Sequence, residues 1–102
     1  MPTADSNALP IDLLERSAAV LRVLAHPQRL RIVELLSGGP MTVSDLVRRL
    51  KLPQNAVSQH LNVMKAHGLL ASQREGRNVW YEIAHPQAMT VLGCIRRHAA
   101  RT

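Results

Sequence analysis

The chain has 102 residues and a formal net charge of +6; 46% of it is apolar, yet it carries one Trp, one Tyr and no Phe. A chain of this length makes about one domain, burying roughly 60–68% of the surface its unfolded form exposes, which excludes a large enzyme cleft. The single cysteine excludes an intrachain disulfide framework, and no apolar run reaches the roughly 18 residues a membrane helix needs.

Residues 1–10 lack the basic and apolar regions of a secretory signal and are expected to be disordered, with residues 11–100 forming one cytoplasmic domain. Ile11, Leu14, Ala18, Leu21 and Leu24 recur at three- and four-residue spacing, which predicts an amphipathic first helix. His26-Pro27 interrupts it, and Pro27 opens a second helix over 27–37 with Leu30, Val33 and Leu36 on one face. Gly38-Gly39-Pro40 ends that helix with residues suited to a left-handed cap. Thr42 as N-cap, with Asp45 three residues on, predicts a short third helix over 43–50. Lys51-Leu52-Pro53 is a three-residue turn, and Val57, Leu61 and Met64 restore helical spacing over 54–67. After Gly68 the pattern changes to period two over 69–74 and 79–83, a β-hairpin turning at Glu75-Gly76-Arg77-Asn78. A last helix follows Ala84-His85-Pro86, with Ala88, Val91, Leu92, Ile95 and Ala99 as one stripe. The expected fold is mainly α: four helices, a β-hairpin wing and a C-terminal helix, a winged helix-turn-helix.

On a wheel of 100° per residue, Val57, Leu61 and Met64 fall within about 40° of Val57 and face inward. Ser58, Asn62, Asn55 and Gln59 fill an arc from about 100° to 200°, uncharged throughout. Amide and hydroxyl groups of this kind hydrogen-bond base edges in a major groove, whereas a face that simply meets water would carry Lys and Glu. Cations flank the arc: Arg48, Arg49 and Lys51 end the preceding helix, Lys65 lies beside it, and Arg74 and Arg77 lie in the hairpin. Phosphate contacts of the latter kind set register while base contacts set sequence. Arg77 alone reads equally well as a solvated turn residue.

Three stretches together resemble the arsenic-repressor (ArsR/SmtB) family. Leu24-Ala25-His26-Pro27-Gln28-Arg29-Leu30-Arg31-Ile32 is similar to the opening of that family's second helix. Gln54-Asn55-Ala56-Val57-Ser58-Gln59-His60-Leu61 with Lys65-Ala66-His67-Gly68-Leu69 resembles its recognition helix and exit, and Arg74-Glu75-Gly76-Arg77-Asn78-Val79-Trp80-Tyr81 its wing. The likeness runs from about Leu13 to Ala99; Pro53-Gln54 departs from the serine-rich helix start common in the family. It implies a homodimer joined by the first and last helices, through Ile11, Leu14, Ala18, Leu21, Val91, Leu92 and Ile95, that represses by binding an imperfect inverted repeat in duplex DNA.

The resemblance also implies metal sites whose ligands this sequence lacks. Thr42 and Ser44 stand where a Cys-x-Cys pair belongs, and hydroxyls are poor ligands for soft metals. At the interfacial site, His85 and His98 remain, but Gln87 and Arg101 replace the other ligands, so no metal is expected. Cys94 and His98 share a helix face, which suits half of a metal site or an activated thiol; a buried cysteine packing as a small hydrophobe is the plainer expectation. His60 and His67 are expected in structural hydrogen bonds, and Trp80 and Tyr81 in packing.

No set of residues supplies a nucleophile, base and oxyanion stabiliser, so neither enzymatic activity nor a cofactor is expected. Three functions compete: a sequence-specific DNA-binding repressor of unknown inducer, a winged-helix protein-interaction module, and a metal or redox sensor acting through Cys94 and His98. The polar arc and basic charge favour the first, because a protein-binding face would expose apolar anchors.

Overall fold

The computed structural model describes residues 7–101; of the segment expected to be disordered, residues 1–6 lie outside it. Helix α1 (Ile11–Leu24) follows Pro10 and carries an exposed Asp12–Arg16 ion pair of 3.2 Å one turn apart. It buries only Val23 and Leu24. Helix α2 (Pro27–Leu36) starts with Pro27 in the first turn, where a missing N–H costs nothing, and His26 Nδ1 accepts the Gln28 N–H at 3.2 Å. Ser37 follows in a right-handed conformation, and within the expected Gly38-Gly39-Pro40 stop the positive φ falls at Gly39.

Strand β1 (Met41–Thr42) leads straight into α3 (Val43–Leu50). Thr42 Oγ1 accepts the Asp45 N–H at 3.1 Å and Asp45 Oδ2 accepts the Thr42 N–H at 3.4 Å, a closed capping box. Lys51 ends α3 in the left-handed region at φ 57°, its N–H donating to the Val47 carbonyl. Pro53 then precedes α4 (Gln54–Ala66), whose Val57, Leu61 and Met64 are buried.

Strands β2 (Leu70–Glu75) and β3 (Asn78–Ile83) form the expected hairpin, but its turn is tighter: Glu75 pairs with Asn78, leaving Gly76-Arg77 as the loop. Gly76 takes φ 64°, where a side chain would be strained. The sheet also has a third strand, contrary to the two-stranded expectation. β1 pairs antiparallel with β3, Met41 opposite Tyr81 and Thr42 opposite Trp80, giving the order β1-β3-β2. Two residues are too short to show a period of two, so β1 left no pattern in the sequence.

Helix α5 (Pro86–Arg101) splits its apolar stripe. Ala88 and Leu92 enter the core, Val91 is half-buried and Ile95 is exposed. Leu92 was expected at a dimer interface and is instead part of the protomer's own core, because helical spacing identifies a stripe without saying which edge meets which partner. Cys94 is exposed, contrary to the expectation of a buried small hydrophobe. The core itself is aliphatic: Leu24, Ile32, Val33, Leu46, Val57, Leu61, Met64 and Leu69 are fully buried, with Tyr81 sealing it from β3.

Candidate nucleic-acid interface

Burial of Val57, Leu61 and Met64 fixes the roll of α4 and turns its polar arc outward. Asn55, Gln59 and Asn62 are exposed and Ser58 half-buried. A groove of about 300 Å³ opens between the start of α3, this face of α4 and the hairpin. Its lining includes Gln54, Ser58 and Asn62 from α4, Ser44 from α3, Arg77 from the turn and Asn78 from the start of β3. Residues as distant in the chain as Ser44 and Asn78 are thus brought to one concave surface carrying hydroxyl, amide and guanidinium groups.

Other predicted residues are placed differently. Asn55 and Gln59 lie farther round α4 and do not line the groove. Lys65 Nζ donates to Ser72 Oγ of β2 at 2.6 Å, so this cation ties α4 to the hairpin. Arg74 lies two residues along β2 from Ser72 and therefore on the same sheet face, exposed. Arg48 is paired with Asp45 of its own helix. Arg49 and Lys51 line a separate cleft with Arg31 and Glu34, the latter two an ion pair. The basic flank of α3 is therefore not continuous with the groove. Ser44 and Asn78 were missed as groove residues; Ser44 sits at the second position of α3, beside a helix start the sequence did reveal.

Two ionisable groups are displaced from their ordinary behaviour. Asp45 is held below the usual carboxylate range by its hydrogen bonds to the Thr42 side chain and backbone, and then by Arg48. Burial pushes His60 below the ordinary histidine value, with His26 and Arg29 adding to the effect. His60 Nδ1 accepts from Arg29 Nε at 3.2 Å, and His67 Nδ1 lies 3.0 Å from the Val63 carbonyl.

Among the described residues no three His, Cys, Asp or Glu side chains come together as a ligand set. Thr42 Oγ1 is committed to the helix cap, and His85 Nδ1 accepts the Gln87 N–H at 3.0 Å at the start of α5. Cys94 and His98 do share a shallow surface, but the other two residues lining it are Arg97 and Arg101. No described helix is long and apolar enough to cross a membrane.

Two short helices with a tight turn, followed by a hairpin that closes a groove against the second, define a winged helix-turn-helix regulator. A family model for a helix-turn-helix domain matches residues 24–73. The transcriptional repressor SmtB of Mycobacterium tuberculosis is 40% identical over 87 residues, an alignment covering 84% of this chain and 64% of that repressor's length. The transcriptional repressor PagR of Bacillus anthracis is 39% identical over 80 residues, covering 78% of this chain and 80% of PagR. The PagR crystal structure superposes with a TM-score of 0.75 over 84% of this chain and 99% of that one, at 36% identity. A homodimeric winged helix-turn-helix DNA-binding domain from Mycobacterium bovis, described as a possible ArsR-family regulator, gives a TM-score of 0.77 at 28% identity, covering 88% of this chain and 83% of that one. The chain belongs to the ArsR/SmtB family of winged-helix transcriptional regulators.

Proposed function

We propose that this chain is a sequence-specific repressor that occupies duplex DNA as a homodimer and does so without the family's usual metal sites. The observation that carries it is the groove joining Gln54, Ser58 and Asn62 to Arg77: base-reading amides and hydroxyls meet a phosphate- or minor-groove-directed cation on one surface. Asn55 and Gln59 extend the reading face, Lys65 and Arg74 supply positive charge beside it, and Arg48, Arg49 and Lys51 supply it on the separate flank of α3. Helix α4 has no side-chain cap and Ala56 N–H donates to the Pro53 carbonyl, so the N–H groups of Gln54 and Asn55 are the ones at its start suited to a phosphate.

Dimerisation is supported by where apolar surface lies. The large hydrophobics left exposed among the described residues are Leu9, Ile11, Leu13, Leu14, Leu21, Met89 and Ile95, all on α1, its lead-in or α5. An apolar face of that kind marks a protein interface. A two-fold dimer carries two copies of α4 and, with half-sites roughly 34–36 Å apart or a multiple, reads an imperfect inverted repeat. Metal independence is supported by the committed Thr42 hydroxyl, Ser44, Gln87 and Arg101.

Selection of binding sites from random duplexes tests the reading. An enriched inverted repeat, bound by a dimer with a log–log salt slope of about −0.9 per neutralised phosphate, is expected. Equal affinity for all duplexes at physiological salt would refute it.

A further inference from the structure

Four groups meet where the end of α1, the start of α2 and the middle of α4 come together. Arg29 donates from one nitrogen to the Val23 carbonyl of α1 at 3.2 Å and from Nε to His60 Nδ1 of α4, also at 3.2 Å. The His60 ring stands edge-on to His26, centroids 4.6 Å apart and planes at 63°. His26 is itself an acceptor, capping α2 through Nδ1. The His60 imidazole thus uses on Nδ1 the lone pair that a proton would take, and faces there a guanidinium that cannot lose its charge.

Resting on the reading of α4 as the DNA-reading helix, we propose that His60 is a positioning residue, held by Arg29 and His26, that sets the reading face of α4 relative to α1 and makes sequence discrimination acid-sensitive. His60 follows Gln59 directly and borders the inward face of Val57, Leu61 and Met64, so any change in its seating is felt by both faces of α4. A proton on Nδ1 removes the acceptor for Arg29 and leaves two cations opposed, which disfavours the docked helix.

Among the described residues, the groups acting on His60 include no carboxylate. Burial, His26 and Arg29 all act against the charged ring, holding it below the ordinary histidine value. On α3, Asp45 is bound by Thr42 and Arg48 at the helix start, and Arg49 opens on another cleft. On α4 and the hairpin, Lys65 is bound to Ser72, His67 lies by the Val63 carbonyl, and Arg74 and Glu75 stand at the hairpin's turn end.

The test compares binding to a selected site and to an unrelated duplex of equal length, from about pH 7.5 to about pH 5.5 at constant ionic strength. For the unaltered dimer, the affinity ratio is expected to fall severalfold across this range, while affinity for the unrelated duplex holds or rises with added positive charge. His60→Asn keeps an acceptor at the Nδ1 position without a titration, and its ratio should stay flat across the range. A flat ratio in the unaltered protein, or an equal fall in His60→Asn, overturns the proposal. Nitrogen NMR of the free dimer provides a readout that needs neither DNA nor a variant. Protonation of the His60 ring should move together with α4 backbone amides; a ring that titrates without moving them, or stays neutral while the ratio falls, also overturns it. Loss of all discrimination at neutral pH would instead refute the DNA-reading assignment, with the NMR titration still deciding the cluster.

Discussion

Thr42 and Asp45 each satisfy the other's backbone N–H, at 3.1 and 3.4 Å, and Thr42 also pairs with Trp80 across β1 and β3. One residue therefore fixes both the start of α3 and the attachment of the sheet.

Thr42→Ala is expected to cost about 0.5–2 kcal/mol by loss of the cap, read by denaturant unfolding. Because the Asp45 carboxyl is held below its ordinary range, its contribution is present above the unfolded value of about 3.9 and is lost as pH falls through the folded value. Asp45→Asn should flatten that acid-side loss. An unchanged acid profile in this variant would show that the carboxylate is not responsible.

Reading and holding should separate by substitution. Ser58→Ala or Gln59→Ala is expected to reduce discrimination between operator and unrelated DNA by about 1–3 kcal/mol. Arg77→Ala should weaken binding to most sequences and flatten the salt slope by about 0.9 for a lost phosphate contact. Identical behaviour of the two classes in a binding series at varied salt would show that no such division exists.

Leu21 and Ile95 are exposed on α1 and α5, whereas Leu92 is buried in the protomer. Leu21→Glu and Ile95→Glu are therefore expected to yield folded monomers in sedimentation experiments. Leu92→Ala should instead lower stability by about 2–5 kcal/mol through the cavity it leaves. A Glu variant that stays dimeric would place the interface elsewhere.

Zinc, cadmium or arsenite at physiological levels should leave the DNA-bound dimer intact, because the residues at the family's ligand positions are capping, neutral or cationic groups. Metal titration of the complex checks this. Stoichiometric binding that releases DNA, and vanishes in Cys94→Ser or His98→Ala, would overturn it.

Long periodic elements were legible in the sequence. The bounds of α1 and α3 agree with the expected 11–24 and 43–50, since Pro, Thr and Asp punctuate a clear apolar period there. What escaped depended on partners distant in the chain. β1 exists because Met41 and Thr42 find Tyr81 and Trp80, and Lys65 bonds Ser72 only because the hairpin folds back on α4. Ile32 is completely buried yet lay outside the face predicted from Leu30, Val33 and Leu36, since a helix packed on several sides has no single inward stripe. For α4 the wheel separated core from surface correctly, but which part of the polar arc borders Arg77 required the hairpin's position.

With β3 in the middle of the sheet, β2 is left as an edge strand, buried at Leu70 and exposed over its last three residues. Its distal half reads Gln73-Arg74-Glu75, so a second copy stacking there in register would meet a polar and charged row, and the two-residue turn ends the edge abruptly. The same charge that invites a nucleic acid thus also guards against self-association. Replacing Arg74 and Glu75 by β-branched apolar residues would leave the fold's hydrogen bonds intact and turn this edge into a nucleus for aggregation.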